Sequence, residues 1–459
     1  MRLLIRFVQG LLLAVLVVIV GAATWLWLAP PELLRVGTGY AAKIVCSNVF
    51  IAKRDPMDVL SEDVQAPGHP LLRFLRLDVD RDAGMVTAYM FGAFAPSTAV
   101  ARPGLGCANV PDGKIDAARK VHLPQPLAAS ATPNPAPNPA PWPDGTGAPH
   151  TNPVLAGILA DPALTGPSMR ATLVIRDGEL LGEAHGPGFG PDTPLIGWSM
   201  TKTVMAMLIG QRMGEGGLDL DKDHLLPQWT DGRAAITLRQ LMGMESGLRF
   251  NEDYGDVSDA TRMLFLEPDQ AAFVASQPLD ATPGTLFHYS TGTSVLLARL
   301  LMNSLPPEQA LSYPQTSLFK PLGMTSAVLE ADETGTLAGG SYLYANARDW
   351  AKLAQCLLQD GVWQGRRLLP EGYVKTMGTP TKSSGGTYGQ GQIWRSGPGR
   401  EPDSTFGITE ETLWFQGHDG QTIAIVPSRK LIVLRMGLTP AWDNYRPQKL
   451  LKAVLDAMP

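Results

Sequence analysis

Trp198 to Lys202 reads W-S-M-T-K, with a serine at the start of an apolar helical pattern and a lysine three residues later. A hydroxyl at a helix N-terminus lies near unpaired backbone N–H groups and the positive end of the helix dipole, which favours a developing negative charge. Residues three apart share a helix face, so Lys202 faces Ser199. If that face is enclosed, desolvation lowers the lysine pKa and part of the population becomes neutral, able to take the serine proton. An isolated S-x-x-K has another reading, in which Ser199 caps the helix and Lys202 is a solvated first-turn residue.

Two distant segments supply further groups. P-G-T-L-F-H-Y-S-T-G-T-S places the phenol of Tyr289 in a turn just before a helix, and W-F-Q-G-H-D-G-Q places His418, Asp419, Gly420 and Gln421 between two strands. The seven histidines are scattered, and Cys46, Cys107 and Cys356 form no zinc-ligand spacing. No metal or organic cofactor is implied.

The elements that must position these groups follow from hydrophobic period. Met200, Val204, Met207 and Leu208 recur at helical spacing from Ser199 to Met213, and Gly214, Gly216 and Gly217 stop the pattern. Arg170 to Ile175, Asp177-Gly178 and Glu179 to His185 read as strand, turn and strand. Helical patterns recur over Leu238 to Met244, Ser294 to Met302 and Arg348 to Leu358. The period then changes to three β-rich runs, Glu411 to Phe415, Thr422 to Val426 and Leu431 to Met436, followed by a helical tail from Gln448. Strands at both ends with helices between predict an α+β fold, one antiparallel sheet closed by the two ends of the domain and flanked by a helical region.

Order and spacing carry a resemblance. Besides W-S-M-T-K, the chain has L-x-x-L-M-G-M-E-S-G-L over Leu238 to Leu248, F-K-P-L-G-M over Phe319 to Met324 and A-N-A-R-D-W over Ala345 to Trp350. From about residue 165 to 458 it resembles the serine β-lactamase and penicillin-binding protein superfamily, particularly the class C-like branch of esterases and 6-aminohexanoate-dimer hydrolases. That resemblance implies a serine hydrolase in which Ser199 is acylated, Lys202 accepts its proton and Tyr289 shuttles a proton to the leaving group. It also implies an oxyanion hole from the backbone N–H groups of Ser199 and Gln421. Asp253-Tyr254-Gly255-Asp256 is similar to a loop carrying a substrate-contacting tyrosine, so Tyr254 is expected to contact substrate, with Gly420 alongside. The chain departs from the pattern where relatives have K-T-G and it has His418-Asp419-Gly420, replacing an obligate cation by a titratable ring. Thr291 stands where the class C pattern has an asparagine that contacts the substrate or the lysine, and is expected among the substrate contacts. His418 is read either as a substrate contact or as a structural histidine. The resemblance also admits a cell-envelope peptidase or transpeptidase-like enzyme, and a binding or sensor protein that kept the fold.

At the N-terminus, the apolar run from Phe7 to Leu28 would cover about 33 Å as a helix, enough to span a bilayer. Arg2 and Arg6 precede it and Trp25 and Trp27 close it, so residues 1–30 are read as a retained membrane anchor with the rest of the chain on the non-cytoplasmic side. A cleaved signal peptide would have a shorter apolar region and a better cleavage site than Ala22-Ala23. Residues 31–123, with strand-like stretches Leu72 to Val79 and Met85 to Phe94, form a small accessory region whose sequence names no chemistry. Residues 124–153 are a proline-rich linker or strap, and residues 154–459 carry the hydrolase motifs. In an exported protein Cys46 and Cys107 are candidates for a disulfide. A net charge of −5, 44% hydrophobic and 18% charged residues fit a folded enzyme, the lack of a basic run argues against a nucleic-acid partner, and the resemblance implies a small-molecule ester or amide substrate.

Overall fold

The computed structural model describes residues 2–124, 138–149 and 152–458. Most of the proline-rich segment (125–137 and 150–151) lies outside the described residues. Helices α1 (Arg2–Leu28) and α2 (Glu32–Phe50) lead into a four-stranded antiparallel meander, β1 (Leu75–Asp80), β2 (Met85–Met90), β3 (Phe94–Arg102) and β4 (Gly106–Asn109). The apolar run from Met85 to Phe94 is thus two strands, not one. Phe91 and Gly92 adopt left-handed backbone (φ 52° and 81°) and turn the chain between them. The run from Leu72 likewise begins as a single-turn helix, Pro70–Phe74, before β1 starts.

The strands read at both ends of the hydrolase segment meet as expected. A five-stranded antiparallel sheet has the order β10 (Leu413–Gly417), β11 (Gln421–Val426), β12 (Leu431–Gly437), β5 (Met169–Arg176), β6 (Glu179–His185). Val433 of β12 pairs with Val174 of β5, so the last strand closes on the first. Alternate residues serve two cores. Leu173, Ile175, Ile423, Ile425 and Leu434 pack with Val204 and Leu208 of α3 (Met200–Gly214) and with Leu353 of α6 (Ala347–Leu358). Val174, Trp414, Ala424 and Val433 pack under Leu155, Leu159 and the helix α7 (Pro447–Ala457). Covering both faces explains why these strands read as nearly continuous apolar runs. Helices α4 (Asp259–Phe265) and α5 (Thr291–Asn303) belong to the helical region, and a small sheet pairs β7 (Leu195–Ile196) and β8 (Val328–Leu329) with β9 (Leu343–Ala345).

Residues 31–123 share the main core. Val36, Ile44, Val45 and Met90 belong to the same buried cluster as α3 and α5. Gly39 of α2 lies against Phe265 of α4 so closely that a Cβ would meet Phe265 Cβ at 2.9 Å. Cys46 and Cys107 are joined, tying α2 to β4. Trp142, from the described part of the proline-rich segment, is buried and donates its indole N–H to Arg348 O at 3.2 Å.

Buried charge also crosses the boundary. Arg170, in β5, grips Asp63 with two bonds of 2.7 and 2.9 Å, and Arg54 adds a third at 2.7 Å. Burial alone would raise the Asp63 carboxyl, but the Arg170 and Arg54 guanidinium groups outweigh it and hold it below its usual range. Removing one partner of such a buried pair costs about 3–5 kcal/mol. Asp63→Asn is therefore expected to lower the urea midpoint of the full-length protein. A depressed folded pKa contributes stability above the unfolded value and loses it as pH falls through the folded one. The gap between wild type and variant should thus narrow in acid.

Candidate functional site

Three local devices place Ser199. Gly197 N–H donates to Leu343 O at 3.0 Å, and Leu343 N–H donates to Thr201 Oγ1 at 3.2 Å, which fixes the start of α3 against β9. Trp198 has left-handed backbone (φ 47°), so the chain turns sharply just before the serine. Gly197 admits the Trp350 ring, which a Cβ would meet at 2.1 Å. Ser199 itself has helical backbone (φ −65°, ψ −7°), and its hydroxyl accepts from Lys202 Nζ at 2.8 Å rather than capping the helix.

Lys202 is 1% exposed. Its ammonium donates to Ser199 Oγ (2.8 Å), Thr291 Oγ1 (2.9 Å) and Gly340 O (2.9 Å). Burial lowers its pKa to about 8, with the Glu252 carboxylate opposing the shift. A neutral amine keeps two N–H donors and gains a lone pair. Thr291 and Gly340 can hold the two donors, and the lone pair is then directed at Ser199.

Tyr289 comes from the turn before α5 and stacks beside Trp394, with ring centroids 5.3 Å apart. Lys202 Nζ is 5.0 Å from the Tyr289 ring centroid. Burial and then the Glu252 charge raise the phenol well above its ordinary pKa, and the Ser199 hydroxyl partly offsets both. Tyr289 is therefore a neutral proton donor and acceptor at ordinary pH.

Thr291 was expected at the substrate, but it is fully buried beneath Lys202. Its hydroxyl receives Lys202 and contacts the Glu252 carboxylate, while Tyr254 OH lies 2.9 Å away and donates to Glu252 at 2.7 Å. Glu252 also accepts Thr291 N–H at 2.8 Å, holding the first turn of α5. Sequence reasoning passed over Glu252, which in N-E-D-Y-G-D looks like any solvated loop acid. Tyr254 keeps its ring at the surface, and enclosure of its hydroxyl followed by the Glu252 charge raises its pKa.

His418 stands between Trp198 and Tyr254, with centroids 5.8 and 5.4 Å away, and Nε2 lies 3.3 Å from Asp419 Oδ1. Burial raises the Asp419 carboxyl, an effect the neighbouring His418 opposes. Gly420 has φ 83°, and a Cβ there would meet Arg435 Nη1 at 2.7 Å. The Gln421 side chain braces this turn, donating to His418 O and Asp419 O at 3.1 and 3.2 Å and accepting Gly437 N–H at 2.9 Å. Gly417, paired with Gln421, approaches so near that a Cβ on it would meet Gly197 O at 2.2 Å. The start of β11 is thereby held beside the nucleophile segment.

Ser199, Trp198, Tyr254, Ser341, His418 and Asp419 line one side of a cavity of about 510 Å³. Lys202 and Thr291 are buried beneath Ser199, and Tyr289 is half-buried beside Lys202. Among the described residues no group of three or more His, Cys, Asp and Glu side chains is placed to hold a metal ion.

A buried lysine on a half-buried serine that lines a cavity, beside an antiparallel sheet edge, is the arrangement of a hydrolase built on the β-lactamase fold. The chain belongs to the beta-lactamase family, whose model matches residues 166–449. A 6-aminohexanoate-dimer hydrolase of Paenarthrobacter ureafaciens is 25% identical over 290 residues, 56% of this chain and 72% of that protein. Among solved structures, a penicillin binding protein from Bacillus halodurans superposes with a TM-score of 0.51 at 18% identity, over 66% of this chain and 100% of that one. EstCE1, described as a hydrolase with promiscuous acyltransferase activity, superposes with a TM-score of 0.50 at 15% identity, over 66% of this chain and 97% of its own.

Proposed function

We propose that this hydrolase cleaves an ester or amide through an acyl-enzyme on Ser199. The observation that carries the proposal is the Lys202 amine, buried, lowered to about 8 and 2.8 Å from Ser199 Oγ. Neutral Lys202 accepts the serine proton as Oγ bonds to the substrate carbonyl carbon. The carbonyl oxygen, now negative, is received by the backbone N–H groups of Ser199 and Gln421, each worth about 3 kcal/mol in such sites. The alcohol or amine leaves with a proton relayed through Tyr289, and water then attacks the acyl carbon, releasing the acid and restoring the serine. His418 and Tyr254 are assigned to substrate contact at the mouth, and Gly420 to keeping the turn open beside Gln421.

Only neutral Lys202 acts as base, so deprotonation raises activity. The expected kcat/KM climbs about tenfold per pH unit in acid and levels above about pH 8. A rate profile with no group titrating near 8 would contradict the role given to Lys202.

The test of the function uses full-length protein with a short-chain nitrophenyl ester and the linear aminohexanoate dimer, subtracting the rate of Ser199→Ala. Ser199-dependent turnover of either supports the reading and ranks ester against amide; none for either sinks it. Turnover of the β-lactam nitrocefin is expected to be far below that of the better substrate, because His418 replaces an obligate cation. Nitrocefin hydrolysis at a comparable kcat/KM would reverse that expectation.

Helix α1 is long and apolar enough to cross a membrane over Leu4–Leu28, and a signal sequence has the same properties. We assign it as a retained anchor on the basis of Trp25 and Trp27 at its end, with the catalytic segment on the non-cytoplasmic side.

A further inference from the structure

The far wall of the Ser199 cavity comes from outside the matched family segment. Leu33, Leu34 and Val36 of α2, Leu71 and Leu72 of the single-turn helix Pro70–Phe74, and Met90 of β2 line the same cavity as Ser199. Tyr40 and His69, from the same stretch, add a phenol and an imidazole, while the other side chains of this wall carry neither charge nor hydrogen-bonding group. The wall is fixed to the body by the Cys46–Cys107 bond, the Asp63–Arg170 pair and the contact of Gly39 with Phe265. It is therefore part of the site rather than a loosely attached module.

The same wall adjoins apolar surface. Trp442 lines the cavity while 69% exposed, and the half-exposed rings of Phe74 and Phe91, 5.2 Å apart, extend from the segments that bear Leu72 and Met90. Leu33 and Leu34 follow the end of α1 by so few residues that the chain between them can span no more than about 20 Å. Exposed aromatic side chains of this kind suit a membrane–water interface. A cavity of about 510 Å³ beside the nucleophile far exceeds what an acetyl group fills and lies in the roughly 300–1,000 Å³ range of whole small-molecule ligands.

We propose that residues 33–90 form an acyl-chain wall, so that the preferred substrate is an amphiphile, an ester or amide of an aliphatic acid whose chain lies along this wall with its carbonyl at Ser199. The proposal rests on the Ser199 acyl-enzyme reading and specifies its substrate. The bond that breaks is the one between the acyl carbonyl carbon and the oxygen or nitrogen of the polar head; the head leaves protonated, and water releases the fatty acid.

The test uses full-length protein reconstituted in vesicles of dialkyl ether phosphatidylcholine, which offers no ester to the enzyme. Nitrophenyl acetate, butyrate, hexanoate and octanoate are compared for wild type, Leu71→Trp and Leu34→Trp, each corrected by Ser199→Ala. Burying one methylene is worth about fourfold in kcat/KM. The wild-type octanoate-to-acetate ratio should therefore exceed tenfold, and either tryptophan, by filling the cavity, should cut that ratio at least fivefold. Partition into the vesicles is common to all forms, so the change in ratio between forms is the decisive readout. A flat or falling wild-type series with Ser199-dependent acetate turnover would overturn the acyl wall and leave the hydrolase reading standing. No Ser199-dependent turnover of any ester would overturn the acyl wall, and the same failure with the aminohexanoate dimer would overturn the hydrolase reading as well. A monoacylglycerol carried in the vesicles identifies the source: its hydrolysis marks the bilayer, whereas hydrolysis of soluble octanoate alone marks substrate arriving through water.

Discussion

Replacing Ser199 by alanine is expected to lower kcat/KM by about 10⁴- to 10⁶-fold, to the residue of catalysis that binding and the oxyanion donors supply without a nucleophile. The size of the loss follows from the pathway: without Oγ there is no acyl-enzyme, and water must attack the substrate directly from a site shaped for another nucleophile. The fold should be little affected. Ser199 takes part in no capping bond that holds α3, and the hydrogen bond it loses is the one from Lys202. Stopped assays on the full-length variant, alongside an unfolding midpoint near that of wild type, check both halves of the expectation. A loss below about tenfold with intact folding would place the chemistry elsewhere.

Lys202→Met is expected to cost about 10²- to 10⁴-fold, the usual share of a general base. Methionine keeps much of the apolar stem and removes the amine, so the comparison isolates proton transfer from packing. A side effect is predictable. Gly340 O and Thr291 Oγ1 lose the donor they share at 2.9 Å, and an unsatisfied buried acceptor costs about 1–3 kcal/mol. Lower stability alone would reduce activity at every pH alike. Loss of the base also removes the limb that titrates near 8, leaving a rate that no longer rises across that range. The pH profile of the variant therefore separates a base from a strut, and a retained limb near 8 would assign the proton to another group.

Much of this site was legible because its parts are local. S-x-x-K puts both groups on one face of one helix, and the turn before α5 and the β10–β11 hairpin announce themselves by glycine, serine and a change of hydrophobic period. The three carboxyl-end strands were placed to within two residues because each run is covered on both faces. What escaped is long-range. Gly340 offers a backbone carbonyl, which no side-chain motif records, and Glu252 acts on Lys202 by its charge and through Thr291, 39 residues away along the chain. Thr291 itself was read as facing substrate because a family pattern gives position without orientation; burial beneath the lysine is decided by how α3 and α5 pack.

The wall formed by residues 33–90 was illegible for a related reason. Helix α2 follows the apolar run of α1 with only Ala29-Pro30-Pro31 between them, and Gly37 and Gly39 weaken its helical pattern although they are what lets it approach Leu72 and Phe265. Lys43 and Ser47 look like ordinary polar breaks in the helix until Glu330, from the far side of the chain, accepts both. The strand misreading at Phe91 arose because an aromatic residue in left-handed backbone leaves no turn signature except the glycine after it.

The central claim, that Ser199 is the nucleophile, is tested most directly by treating the full-length protein with a fluorophosphonate and mapping the adduct by peptide mass spectrometry. A single phosphonylated serine at position 199, absent from Ser199→Ala and formed faster as pH rises toward 8, is the predicted result. An adduct at another residue, or one that persists in the alanine variant, would contradict the account.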